Sequence, residues 1–444
     1  MIKIILPLSF FVFFFMDPLL RNCMAQGKDV SYYSEQEIQI ESKMKKQGVD
    51  ASLDLHWLIN EAMANNPEII AAQKRIQASK ARISQAKSLD DPMFTAGSFE
   101  MSKSPLHINN DSGMLEHRFA VSQKIPFPGK LRLRGEKATE ESRMSEEELR
   151  EKMQEIISLV KSSFYELFYT NRAIEITQEN RELLLKFAKI AETKYTVGRT
   201  TQRDVLAAQV ELSTLANDII VLKKERESIF ARLNALLDRH SHAPLANPRI
   251  FEKHTMDLTI EELEDIAMEN RPELKRFNHA VKRDEKELKL SKKDYYYTDF
   301  QPMVEYRQID SRPDTWASTI SVNVPWLWSK NRSKVKEAQE ELQAAKTDYQ
   351  YINNKTLFEV KDFFVKMQSA ESTVNLYKDA VIPQAQQSLR SARVGYEADR
   401  VDFLTLLDSE RILLNANLLY YRALTDYEQN LASLERAVGM QLTK

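Results

Sequence analysis

The sequence has 444 residues, of which only nine are Gly and 14 are Pro, while 29% are charged, with 63 basic and 65 acidic residues. A formal net charge of -2 gives no reason to expect a nucleic-acid partner. Few chain breakers beside abundant Glu, Lys, Gln, Ala and Leu are typical of long helices rather than of ordinary globular packing.

The N-terminus has the pattern of a secretory signal. A basic start and an apolar run precede a small-residue site, so residues 1–25 are predicted to be a signal peptide and residues 26–50 an N-terminal extension. Cys23 is the only cysteine. Its lipidation is an alternative to plain cleavage, but the residues just before it do not suit that processing. We expect export either way.

After residue 26 the sequence has no run of about eighteen apolar residues, the length of a membrane-spanning helix, and we therefore predict none. If the chain crosses a membrane, it must then do so as a closed β-barrel, because unpaired backbone groups cannot sit in lipid.

The mature sequence is an internal duplication. Its matched landmarks are Pro67 with Pro272, Pro126 with Pro325, and Tyr195 with Tyr396. Subtracting the residue numbers gives nearly constant offsets of 205, 199 and 201 residues. We predict a first repeat at 51–240, a linker at 241–257 and a second repeat at 258–440.

Each repeat contains two predicted strands, at about 92–124 and about 299–324. The second strand of each pair alternates apolar and polar residues, which indicates one apolar and one polar face. The apolar members are Leu115, Phe119 and Val121 in the first repeat and Trp316, Ile320, Val322 and Val324 in the second. Four strands cannot close a transmembrane barrel, since known barrels start at about eight. The strands must pair with other subunits or form a soluble sheet.

A helical hairpin follows each strand pair, at about 130–238 and about 330–437. Apolar residues in the long helices step by three and four, which is typical of helices that pack lengthwise. In the second hairpin the predicted seam is Val360, Phe363, Met367, Ala370, Val374, Tyr377 and Val381. Pro383 is expected to kink or interrupt that helix.

These features resemble the TolC family of outer-membrane efflux proteins over nearly all of the mature sequence, about 51 to 440. The most specific stretches are VSQKIPFPGK at 121–130, KYTVGRTTQRDVLAAQ at 194–209 and GYEADRVDFLTLLDSE at 395–410. The resemblance implies a mainly α fold with a small β part. It implies a homotrimer with a 12-stranded transmembrane β-barrel in outer-membrane lipid and a 12-helix periplasmic tunnel. An inner-membrane efflux pump and a periplasmic adaptor would be partners; no enzyme activity or cofactor is implied.

The resemblance also assigns site residues. Pro126, Pro128 and Gly129, and Pro325 in the second repeat, would form the turns between barrel and tunnel. Proline fixes φ and glycine allows unusual backbone geometry, which suits a sharp change of direction.

The tunnel of the family closes at the tips of its hairpins, where aspartates line a constriction. The candidates here are Asp408, Thr405, Asp402, Asp204 and Tyr396. Thr405 stands where the family has one of two gate aspartates, so Asp408 is the main candidate. Repeated in three subunits it would form a cation-favouring ring. For any one of these acids, the alternative is a solvated helix face or an N-cap.

Two other classes of protein are alternatives. A periplasmic adaptor would have one hairpin and Gly-rich β domains, and a purely structural coiled-coil protein would lack paired strands before each long helix. His240, His242 and His254 lie in or near the linker with acids close by, but the linker resembles a surface loop. We predict no metal site.

Overall fold

The computed structural model describes residues 53–101, 114–248, 253–309, 312–327 and 329–442. The predicted signal peptide, the N-terminal extension and Cys23 lie outside these ranges, as do all of the residues that connect β1 to β2, 102–113. The described ranges belong to the unit Leu53–Lys444.

Within the described residues, the first half of this unit contains four helices and two strands. They are α1 (Leu55–Asn65), α2 (Pro67–Lys87), β1 (Met93–Met101), β2 (Met114–Ser122), α3 (Lys130–Thr196) and α4 (Gln202–Leu236). The second half follows the same order. Its elements are α5 (Ile260–Asn270), α6 (Pro272–Tyr296), β3 (Phe300–Ile309), β4 (Thr315–Val322), α7 (Ser329–Leu376), α8 (Ile382–Glu397) and α9 (Phe403–Val438). The expected mainly helical architecture with a small sheet is therefore present.

Helix α3 has 67 residues, which corresponds to roughly 100 Å at 1.5 Å per residue. Its seam is buried because α2, α4, α6 and α9 pack along it. Val160, Leu167 and Ile174 on this seam are at most 5% exposed. Burying one apolar stripe along several neighbours stabilises a helix that its own backbone hydrogen bonds would not hold alone.

The long helix of the second hairpin is interrupted by a π-helical turn at Tyr377–Val381, between α7 and α8. Pro383 follows in the first turn of α8. Because proline has no backbone N–H, it cannot donate the hydrogen bond of a regular α-helix, and the wider π-helical turn comes just before it. The expected interruption is thus present. Tyr377 and Val381 of the predicted seam lie in this turn and are half-buried, as Phe363 is, whereas the other four seam residues are buried.

The four described strands form one antiparallel sheet in the order β1-β2-β3-β4. In its register Phe119 pairs with Tyr306, Tyr306 with Trp316 and Val121 with Val304. These side chains lie on one face, with Trp316 74% exposed. The opposite face carries polar residues, which include Ser122 and Glu305. The sheet thus has the apolar and polar faces that the alternation predicts.

By length and composition alone, helix α4 is apolar enough to cross a membrane, since its most apolar window of 18 residues has a mean hydropathy of 1.5. Only 17% of that window is buried. A search for unbroken apolar runs misses it because a few charged residues interrupt the pattern. Its buried face packs on α3, and Leu206, Val210, Ile220 and Val221 form an exposed apolar stripe.

Candidate functional site

The first strand-to-helix turn requires glycine at position 129. Gly129 has φ 88° and directly precedes α3. A Cβ atom there would lie 2.6 Å from Nζ of Lys293, which donates a hydrogen bond of 3.1 Å to the Pro128 carbonyl. Phe127 stacks on Tyr297 with ring centroids 4.2 Å apart. The turn is therefore fixed both by its own backbone and by the end of α6.

Lys130 anchors this turn, although sequence reasoning did not single it out. It is 1% exposed, and its Nζ lies 2.7 Å from Oδ1 of Asp299 and 3.2 Å from Oδ1 of Asp294. Burial alone would raise the pKa of Asp299, but hydrogen bonds from Lys130 and from the Phe127 N–H outweigh it and lower that pKa. A lysine at the end of an IPFPGK stretch gives no sequence signal of such pairing.

The second turn has no glycine and is held differently. Nδ2 of Asn331 in α7 donates to the Pro325 carbonyl over 2.9 Å. The Asp299 N–H donates to Oδ1 of Asn323 over 2.6 Å, so the same aspartate links both turns.

The tips of the two hairpins differ at matching positions. Gly198 has φ 72° with open space around it, whereas Asp399 adopts φ 58° despite its side chain. Asp399 is held by Lys194 of the first hairpin, with Nζ to Oδ1 at 2.5 Å. Lys194 also donates to the Tyr396 carbonyl. The Lys194 hydrogen bond lowers the pKa of Asp399. One lysine thus ties the two tips together.

Asp402, Thr405 and Asp408 are exposed on the first two turns of α9. Asp402 is the N-cap, since its Oδ1 accepts the Thr405 N–H over 3.1 Å and also the Thr405 hydroxyl. These bonds lower the pKa of Asp402. Residues three apart share one side of a helix, so the three side chains face the same region.

Asp204 and Tyr396 lie inside the tip rather than on its surface. Asp204 is 8% exposed and completes the capping box of α4 with Thr201. Tyr396 is 4% exposed and packs edge-to-face on Phe403, with ring centroids 5.5 Å apart. Nζ of Lys194 lies 4.4 Å from the centre of the Tyr396 ring. Their positions suit packing inside the hairpin tip rather than lining a constriction of the tunnel.

A buried carboxylate near the tip was missed. Glu410 in α9 is fully buried, and its Oε1 accepts a hydrogen bond from Asn180 of α3. The next residue, Arg411, binds Glu211 of α4, with Nε to Oε1 at 3.0 Å. Burial raises the pKa of Glu410 to about 7, with Glu211 adding to the increase. The signal was present, because Glu410 continues the buried three- and four-residue spacing of Phe403 and its neighbours.

The histidines of the linker region do not form a metal centre. Nδ1 of His254 lies 2.9 Å from Oε2 of Glu428, an ion pair when the imidazole is protonated. His240 and His242 come before residues 249–252 in the chain, and their ring centroids are 5.5 Å apart. Among the residues that the structure describes, no group of three or more His, Cys, Asp or Glu side chains could hold a metal ion.

Residues 58–239 and 263–440 match the model of the outer membrane efflux protein family. Among curated proteins, the chain is similar to the cobalt-zinc-cadmium resistance protein CzcC of Cupriavidus metallidurans. The two are 20% identical over 398 residues, which cover 87% of this chain and 90% of the relative.

Solved structures of outer-membrane channels have the same fold. The VceC outer membrane protein of Vibrio cholerae matches with a TM-score of 0.76 at 19% identity, covering 87% of this chain and 96% of that one. CusC matches with a TM-score of 0.77 at 17% identity, covering 88% and 93%.

A sheet with one apolar and one polar face, joined by fixed turns to long helical hairpins, is the fold that the chain has in common with these outer-membrane channels. The chain belongs to the outer membrane efflux protein family, since the family model covers most of its length. The predictions of efflux and of outer-membrane location are confirmed. The family is one of transport ducts rather than of enzymes.

Proposed function

We propose that three copies of this chain form a passive exit duct of a tripartite efflux system. Four strands from each copy would give a twelve-stranded barrel in the outer membrane, and the helical hairpins would give a twelve-helix tunnel. An inner-membrane pump would drive transport, and a periplasmic adaptor would connect the pump to the hairpin tips.

The observation that carries this proposal is the open sheet. Within the described residues, the outer edges of β1 and β4 pair with no other strand, yet Phe94 on β1 and Trp316 on β4 present exposed apolar side chains for lipid. Unpaired backbone groups cannot remain in a bilayer, so these edges require strands of other copies. The exposed stripe of α4, with Leu206 and Val210, supports contact between copies along the tunnel.

For the constriction we propose Asp408 as the lining acid, with Thr405 beside it and Asp402 acting mainly as the cap of α9. Asp408 is an exposed carboxylate of this segment and, unlike Asp402, it does not cap α9. Asp204 and Tyr396 would instead hold the tip closed from within.

The first experiment is the subunit count of the mature protein, extracted from outer-membrane fractions and measured by native mass spectrometry. A trimer supports the duct, and a monomer or dimer would refute it. Replacing Leu206 and Val210 together by Glu should lower the trimer fraction, whereas Gln202→Glu, at the start of the same helix, should not.

The constriction is tested in planar bilayers. Asp408→Ala should weaken cation preference and the block by multivalent cations added at the tunnel end. Thr405→Ala is the matched control one turn away, with no charge removed. Unchanged cation block in Asp408→Ala would remove this residue from the constriction.

A further inference from the structure

The polar face of the sheet carries a closed group of four charged residues on β2 and β3. Arg118 and Arg307 are direct partners in the register. Nε of Arg118 lies 2.6 Å from Oε1 of Glu116, and Nε of Arg307 lies 2.8 Å from Oε1 of Glu305. Longer contacts cross between the strands, from Arg118 to Glu305 at 3.7 Å and from Arg307 to Glu116 at 3.9 Å. We call these four residues the collar.

The two signs of charge in the collar are not equally accessible. The side chains of Glu116 and Glu305 are 3% and 8% exposed, whereas both arginine side chains are 38% exposed. Each arginine uses Nε and Nη2 to hold its glutamate. Among the described residues, Nη1 of neither arginine makes a hydrogen bond. The group is formally neutral, but it presents guanidinium N–H donors to solvent.

The collar lies away from the helices. β2 leads into α3 through Ser122, and β3 follows α6 at Phe300, so the helix-side end of the sheet is at these residues. Arg118 is four residues from Ser122, which is about 13 Å along a strand. Arg118 also packs on the Phe99 ring of β1, with Cζ 4.7 Å from the ring centre. This contact fixes the guanidinium on the polar face.

We infer that the collar is an anion-binding ring in the barrel lumen, which takes solutes carrying phosphate or carboxylate groups. The inference rests on the proposed trimer, in which the polar face lines the lumen. Two arginines in each of three chains would place six guanidinium groups around one pore. Guanidinium groups bind phosphate and carboxylate through directed, charge-assisted hydrogen bonds, and charged rings set selectivity in channels.

The test uses trimeric protein in a planar bilayer, with inorganic triphosphate added to the chamber that faces the outer mouth. Wild type should be blocked. Replacing Arg118 and Arg307 together by Gln should weaken the block about tenfold or more. Replacing Glu116 and Glu305 together by Gln should strengthen it, because the arginines lose their neutralising partners. Thr319→Val, on the same face without a charge, should leave the block unchanged.

One further double variant separates the effect of charge from an effect on folding. Replacing both arginines by Lys keeps the charge and should keep most of the block. Triphosphate block that is the same in wild type and in the Gln double variant would overturn the collar. A wild type that is not trimeric, or that conducts no current, would instead overturn the proposed function, so the two failures are distinguishable.

Discussion

Glu410→Gln should remove a pH dependence of stability that this buried carboxylate imposes. The pKa of Glu410 is raised from its ordinary value of 4.5 to about 7 because the group is buried beside Glu211. Between these pH values the folded state holds a proton that the unfolded state has lost. The contribution of Glu410 to the free energy of unfolding is therefore fully present below about pH 4.5, and it is lost as the pH rises to about 7.

The size of the effect follows from the same values. The difference between 4.5 and about 7, at roughly 1.4 kcal/mol for each pH unit, corresponds to about 3 kcal/mol per chain. At roughly 2.1 cal/mol/K per residue, that is about 3 °C in the melting temperature of a chain of this size. Glutamine keeps the shape and the Asn180 contact without a titrating proton.

The assay is thermal unfolding of the detergent-solubilised protein, followed by circular dichroism at about pH 4.5 and pH 8. Relative to wild type, Glu410→Gln should gain stability at the higher pH and little at the lower one. Asp408→Asn removes an exposed carboxylate from the same helix and should not reproduce this difference. Parallel wild-type and Glu410→Gln curves across the range would refute the reasoning.

Two further predictions concern the backbone and the tips. Gly439→Ala should destabilise the protein by about 2 kcal/mol or more, because φ is 89° and a Cβ would lie 2.7 Å from the Arg271 Cα. Thermal melting should show a smaller loss for Gly198→Ala, where space is open; equal losses would contradict the steric argument. Lys194→Ala frees Asp399 and should raise single-channel conductance, because the ion pair between the two hairpin tips is lost. Unchanged conductance would show that this lysine does not hold the tips closed.

Periodicity made the general architecture predictable from sequence. Alternation over Trp316 and Ile320 marks a two-faced strand, and three- and four-residue spacing marks a lengthwise seam. Both patterns reflect which side chains are buried, and the burial of apolar side chains largely determines the local structure. The same patterns cannot specify a partner strand outside the chain. The number of subunits therefore came only from the family resemblance.

The charged sites were harder to predict because their behaviour depends on contacts between distant residues. Asp204 matches a tip acid of the family in sequence, but its capping of α4 places it inside. Lys130 looks like an ordinary surface residue until α6 closes over it. The spacing that places Glu410 on a buried face does not show its contact with Asn180 of α3. The apolar stripe of α4 was overlooked because the expected signal was an unbroken run.

The π-helical turn in the second hairpin shifts the register of the helix below it, and in this the two repeats differ. Continuing the seven-residue pattern from Val360 and Val374 would place the next buried positions at 384, 388, 391 and 395. The buried residues are instead Ala385, Leu389, Ala392 and Tyr396, each one position later. The turn thus accommodates one inserted residue while the lower helix still faces α9. The corresponding helix of the first repeat, α3, runs without such a turn. The two repeats therefore differ in the backbone of this helix, while α8 below the turn keeps its packing on α9.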